Sequence, residues 1–147
     1  MAEQNHMQVM FDAKSVNESL ARMVVTAFMT DMNPTLEQIS DVKTAVSEAV
    51  TNAIIHGYEN ENREDSVELC CDREGQQLIV TVEDHGVGIA DVEQARNPFY
   101  TTKPELERSG MGFTFMEAFM DKVEVCSQLG VGTKVVMWKY IERESEQ

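Results

Sequence analysis

Three short stretches of the chain hold residue types that could do chemistry. In SEAVTNAIIHGYEN (47–60), Glu48, Asn52 and His56 recur at every fourth position. At roughly 100° per residue on an α-helix, that spacing sets an acid, an amide and an imidazole in one row. Such a row is either idle surface chemistry or one wall of a site. In VEDHGVGI (82–89), Asp84 ends an apolar run, and Gly86 and Gly88 follow at once. Glycines there permit a tight turn and the close approach of a ligand, although Asp and Gly also make ordinary turns. In TTKPELERSGMGF (101–113), Gly110 and Gly112 flank Met111 where a loop enters a helix. Backbone N–H groups at a helix start attract phosphate, and Lys103 and Arg108 add positive charge to an otherwise acidic chain. Each stretch alone has a plainer reading: a solvated polar row, a turn, a helix cap.

The elements that must position these residues follow from periodicity. MQVMFDA (7–13) alternates and predicts a strand. SVNESLARMVVTAFMTDM (15–32) predicts a helix with Leu20, Val24, Ala27 and Phe28 on one face and Asn17 as N-cap. NPTLEQ opens a second helix, with Pro34 or Thr35 near its start and Gly57 as its stop. Ile39, Val42, Val46, Ala49, Val50 and Ala53 form its apolar stripe. Glu48 lies nearly opposite that stripe, Asn52 on its flank and His56 nearer its edge. SVELCC (66–71) and QQLIVTVED (76–84) alternate as half-buried strands joined by a DREG turn. ADVEQAR (90–96) is a short helical piece. The stretch 97–112, rich in Pro and Gly, is a long loop of the kind that is usually functional or disordered. MGFTFMEAFMDK (111–122) is a third helix, and KVEVCSQ and GTKVVMWKY make a closing hairpin around LGVG. Together they predict an α+β fold: a two-layer α/β sandwich whose mixed, mostly antiparallel sheet is covered on one face by helices.

Composition bounds the function. A chain of 147 residues, 42% hydrophobic, suits one domain spanning 1–147, with 140–147 as a frayed, solvated tail. No apolar run reaches the ~20 residues of a membrane span, and the N-terminus lacks the pattern of a secretory signal. A cytoplasmic protein with no membrane partner is expected. A net charge of −14 disfavours DNA or RNA as a direct partner, because phosphates repel such a surface. It favours association with basic proteins. Cys70, Cys71 and Cys126 have no metal-ligand or disulfide spacing and are expected to be buried or half-buried thiols.

There is no GxxxxGK[ST] loop, and neither HRD nor DFG is present. The order is instead E-x-x-x-N-x-x-x-H, then D-x-G-x-G, then a long loop, then G-x-G. That order resembles the ATP-binding fold shared by gyrase B, MutL, heat-shock chaperones and sensor histidine kinases. SEAVTNAIIHGYEN and NPFYTTKPELERSGMGFTFMEAFMD are similar, more closely, to the anti-sigma F factors of endospore-forming bacteria. These are serine protein kinases that restrain a sporulation sigma factor, and the likeness runs from Met7 to Tyr140.

The resemblance implies ATP and Mg²⁺ as cofactors and a role for each residue. Asn52 would bind Mg²⁺ through its amide oxygen, with phosphates and water completing the octahedron. Asp84 would accept from the exocyclic amine of adenine, and Gly86 and Gly88 would let the base approach. Thr101, Lys103, Arg108, Gly110 and Gly112 would hold the phosphates, and Thr133 would line the pocket. Glu48 would be the general base that orients an attacking hydroxyl. His56 would be structural at the pocket edge, while His6 and His85 have no motif role. Arg22, in NESLAR, would touch both the sigma factor and an anti-anti-sigma protein, the latter being the phosphorylated substrate. Family members act as homodimers. Two alternatives stay open on sequence: the catalytic domain of a two-component histidine kinase, and an ATP-dependent binding module without kinase chemistry.

Overall fold

The computed structural model describes residues 3–58, 62–96 and 112–143. Strand β1 (Gln4–Ala13) begins before the alternating stretch does. Its first residues are polar and exposed, but they pair with the next strand, Gln4 opposite Glu74 and His6 opposite Asp72. His6 Nδ1 lies 2.6 Å from Asp72 Oδ1. Pairing of this kind leaves no hydrophobic trace in the sequence.

Helix α1 (Val16–Met29) buries Ala21, Val25 and Met29. The face expected to be core is only partly so: Leu20 is 49% exposed and Ala27 is exposed, while Val24 and Phe28 are half-buried at the edge of the core. Apolar residues occupy both sides of this helix, so periodicity alone could not choose between them. Asn17 is not the cap; Ser15 holds that position, and Asn17 Nδ2 donates to the Asp12 carbonyl at 2.9 Å. A 3₁₀ turn, Thr30–Met32, ends at Asn33 with φ 57, a left-handed conformation that Asn tolerates.

Helix α2 (Leu36–Asn52) starts on a full capping box. The Gln38 N–H donates to Thr35 Oγ1 and the Thr35 N–H donates to Gln38 Oε1, both at 3.1 Å. Val42, Ala45, Val46, Ala49 and Val50 face the core. The helix does not stop cleanly but widens into a π turn, Ala53–Gly57, a distortion found mostly at functional sites.

Strands β2 (Asn62–Glu74) and β3 (Gln77–Asp84) meet at a turn tighter than the DREG reading. Asp72, Arg73 and Glu74 stay in the ladder, and the chain reverses at Gly75, whose φ of 62 suits glycine. Helices α3 (Val92–Ala95) and α4 (Gly112–Phe119) precede the hairpin of β4 (Lys122–Gln128) and β5 (Gly132–Tyr140). The sheet order is β1-β2-β3-β5-β4. Every pairing is antiparallel, so the expected mixed sheet has no parallel pair among the described strands. Between β1 and β2, helices α1 and α2 in succession return the chain to the end it left, so β2 runs antiparallel to β1.

One face of the sheet carries the core. Val67, Leu69 and Cys71 of β2, Leu78, Val80 and Val82 of β3, and Val135 and Met137 of β5 are buried, with helical Val25, Val46, Val50 and Met116 in the same cluster. At one end of the sheet the buried Arg73 guanidinium donates to the Gly75 carbonyl at 2.8 Å, Gln76 Oε1 at 2.9 Å and Asp31 Oδ2 at 3.2 Å. Gln76 in turn donates to the Met32 and Ile141 carbonyls. Ile141, expected in a frayed tail, is fully buried and its N–H donates to the Gln76 carbonyl at 2.8 Å. Burial pushes the Cys71 thiol up to about 12 and also raises Cys70, whereas Cys126 is exposed, contrary to expectation. Among the described residues no helix is long and apolar enough to cross a membrane.

Candidate active site

Glu48 and Asn52 stand one turn apart near the end of α2, and both are only half-buried. Gly112, the first residue of α4, packs directly on them. A Cβ built on Gly112 would lie 3.0 Å from Asn52 Nδ2, 3.2 Å from Asn52 Oδ1 and 3.3 Å from Glu48 Oε2. The structure therefore joins two of the three sequence stretches, which are far apart along the chain. A carboxylate and a carboxamide, both hard oxygen donors, share this corner with a helix N-terminus. Among the described residues no cluster of three or more His, Cys, Asp or Glu side chains forms a metal cage. A cation here would take few protein ligands.

The remaining stretch builds a second cluster at the end of β3. Asp84 is 5% exposed and stands opposite Thr133 in the β3–β5 ladder. Burial raises its carboxyl above the ordinary carboxylate range, while the Gly86 and Thr133 backbone N–H groups pull it back down by donating to it. The Gly86 N–H lies 2.9 Å from Asp84 Oδ1. Gly88 has φ +79, and a Cβ there would collide with the Gln128 carbonyl. Gly132, with φ +138, lies equally tight against the Asp84 backbone. The Asp84 loop and the β4–β5 turn thus touch backbone to backbone, and the Gly130 N–H donates to the Val87 carbonyl at 2.9 Å.

The π turn links the two clusters. Immediately after it, the Tyr58 hydroxyl donates to the Ser66 carbonyl at 2.7 Å and accepts from the His85 N–H at 2.6 Å. His85 thus takes part through its backbone N–H, next to Asp84. His56 lies within the π turn and is half-buried. Thr101, Lys103, Arg108 and Gly110 lie outside the described residues. The flanks of their segment are anchored. Arg96 Nε donates to Glu117 Oε1 of α4 at 2.6 Å and its Nη2 to the Val123 carbonyl at 3.3 Å.

Arg22 is half-buried on the side of α1 that borders α2. Its Nη2 donates to Ser19 Oγ at 3.1 Å, and its Nε lies 3.5 Å from Glu18 Oε1. A groove of about 540 Å³ between α1 and α2 is lined by Arg22, Lys43, Ser47 and Glu48. Arg22 and the acid of the first stretch therefore line one depression.

Tyr58, Ser127 and Gly132 are site residues that sequence reasoning missed. Tyr58 and Gly132 stand beside recognised motifs, yet only their contacts reveal a role. Ser127 had no local signal; it becomes visible only once β4 lies against β5.

A family model described as a histidine kinase-like ATPase domain matches residues 11–139. The chain is 54% identical to an anti-sigma F factor of Clostridium acetobutylicum, covering 92% of this chain and 94% of that one. It is 55% identical to one from Clostridium perfringens, over 92% and 96%. For one from Anoxybacillus flavithermus the identity is 52%, over 95% and 94%. Among solved structures, the RsbU and RsbW domains of a Mycobacterium tuberculosis protein share the fold with TM-score 0.70 at 17% identity, over 96% of this chain and 34% of that one. With two motif clusters on this ATPase framework and relatives matched along nearly their whole length, the chain belongs to the anti-sigma F factors of the histidine kinase-like ATPase family.

Proposed function

We propose that the protein binds and inhibits a sporulation RNA polymerase sigma factor and uses ATP to phosphorylate a serine of an anti-anti-sigma antagonist. The observation that carries this reading is the shared groove: Arg22 and Glu48 both line it. A partner segment held at Arg22 reaches the carboxylate that would take its hydroxyl proton. Phosphoryl transfer needs positioning and charge neutralisation more than covalent chemistry, and the site is built for both. Glu48 orients the serine hydroxyl and accepts its proton. Asn52 Oδ1 and the phosphates would hold Mg²⁺, which when bound neutralises phosphate charge. The Asn52 carboxamide oxygen, a hard donor, fits that ion as one of few protein ligands.

Asp84 accepts from adenine, with Gly86, Gly88 and Thr133 shaping the place for the base. Thr101, Lys103, Arg108, Gly110 and Gly112 hold the phosphates. Residues 1–147 act as one ATP-binding kinase unit, working as a homodimer. An apolar strip of Val16, Leu20 and Met23 on α1, exposed in the single chain, offers surface for a second copy or for the sigma factor. The experiment is incubation with radiolabelled ATP and a candidate anti-anti-sigma protein, followed by phosphoamino-acid analysis. Phosphoserine is expected. Acid-labile phosphohistidine would assign the chain to histidine-kinase chemistry instead, and absence of label would leave it a binding module.

A further inference from the structure

We propose that Ser127 is a positioning residue that decides which hydrogen-bonding groups the pocket shows to the base, and so favours a 6-amino purine over a 6-oxo purine. This rests on Asp84 and Thr133 being the base-binding groups. Ser127 lies near the end of β4, opposite Thr133 in the β4–β5 ladder. Its Oγ is 2.6 Å from the Ile89 nitrogen, 3.1 Å from the Gly132 carbonyl oxygen and 2.8 Å from Thr133 Oγ1.

A serine hydroxyl has one proton and two lone pairs. The Ile89 N–H can only donate and the Gly132 carbonyl can only accept. Ser127 therefore receives from the first and gives its own proton to the second. One lone pair is left for Thr133; the 2.8 Å contact admits either hydroxyl as donor, and the arrangement proposed is the one in which Thr133 donates. With its proton committed, the Thr133 hydroxyl turns only lone pairs toward anything beside it. Asp84, its ladder partner, is a carboxylate receiving two backbone N–H bonds and is likewise an acceptor. Acceptors on both residues match an exocyclic N–H and repel a carbonyl oxygen. The Ile89 bond also holds the loop of Gly88 and Ile89 against the β4–β5 hairpin, where the glycines leave no slack.

The test is calorimetric titration of the full chain with ADP and IDP, which differ at this position and avoid turnover. Ser127→Ala is expected to weaken ADP binding about five- to tenfold and to narrow the ADP-to-IDP preference about tenfold. The freed Thr133 proton can then meet a carbonyl. Ser127→Thr, which keeps the hydroxyl, should restore both values to within about twofold. Ser127→Cys, close in shape but a poor acceptor, should narrow the preference as the alanine variant does, and it carries the test should Ser127→Ala fail to fold. An unchanged preference in either folded variant would overturn the role of Ser127. Asp84→Asn is titrated in parallel. If it leaves ADP binding intact, the base-binding reading falls and this inference with it. If it weakens ADP binding while the Ser127 variants keep their preference, only the inference falls.

Discussion

At the scale of single residues, the two acids differ in environment, which suits the different tasks proposed for them. Glu48 is half-buried beside Asn52 and Gly112 and borders an open groove. Asp84 is enclosed, held by backbone donors, and suited to a fixed ligand. Glu48→Gln keeps the shape but removes the base, so phosphate transfer should fall at least about a hundredfold. ATP affinity, measured by calorimetry, should stay within about twofold; equal loss of both would make Glu48 a ligand-binding or structural group. For Asp84, burial raises the carboxyl. Between the ordinary carboxylate range and that raised value, the folded chain holds a proton that the unfolded chain has released. Stability therefore falls as pH climbs through this window and stays lower above it. Asp84→Asn should remove that dependence and raise the nucleotide-free melting temperature at neutral pH. It should also weaken ATP binding by more than about tenfold. A variant that melts lower at neutral pH would contradict the burial penalty.

At the scale of elements, the site depends on where α2 starts and where α4 begins. The Thr35–Gln38 box sets the register of a helix whose far end carries Glu48 and Asn52. Thr35→Ala should cost about 1 kcal/mol, visible in a denaturant midpoint, with little change in nucleotide affinity. Gly112 is different, because its backbone approaches both functional side chains. Gly112→Ala places a methyl group within about 3 Å of Asn52, tighter than ordinary packing allows. Transfer should drop by more than about tenfold while the melting curve moves little. An active Gly112→Ala would mean that Glu48, Asn52 and the helix start are not used together.

At the scale of the whole molecule, the partner surface proposed at Arg22 and the base-binding place proposed at Asp84 lie on different elements. Arg22 sits on α1, the helix that also exposes Leu20 and Met23, while Asp84 lies under the β4–β5 turn. Arg22→Glu should weaken capture of the sigma factor by at least about tenfold in a pull-down or surface-binding assay, with nucleotide affinity unchanged. Intact capture would end that assignment. With a net charge of −14, association with a basic partner should also slow as salt is raised.

Element types and most of their bounds were legible in the sequence, because period and glycine placement are local properties; the E-x-x-x-N and D-x-G-x-G spacings likewise mark the two stretches that lie wholly or largely among the described residues, while the third is described only from Gly112 on. The α1 face was not, since apolar residues lie on two sides and only the sheet beneath selects Ala21, Val25 and Met29. The outer half of β1 and the burial of Ile141 were hidden for a related reason: they follow from pairing and from the Arg73–Gln76 network rather than from their own residues. Spacing told that Glu48 and Asn52 share a helical row. Packing alone decided that Gly112 meets them, and that Ser127 and Tyr58 hold the loop after Asp84. Those contacts join residues distant along the chain, and no local pattern encodes them.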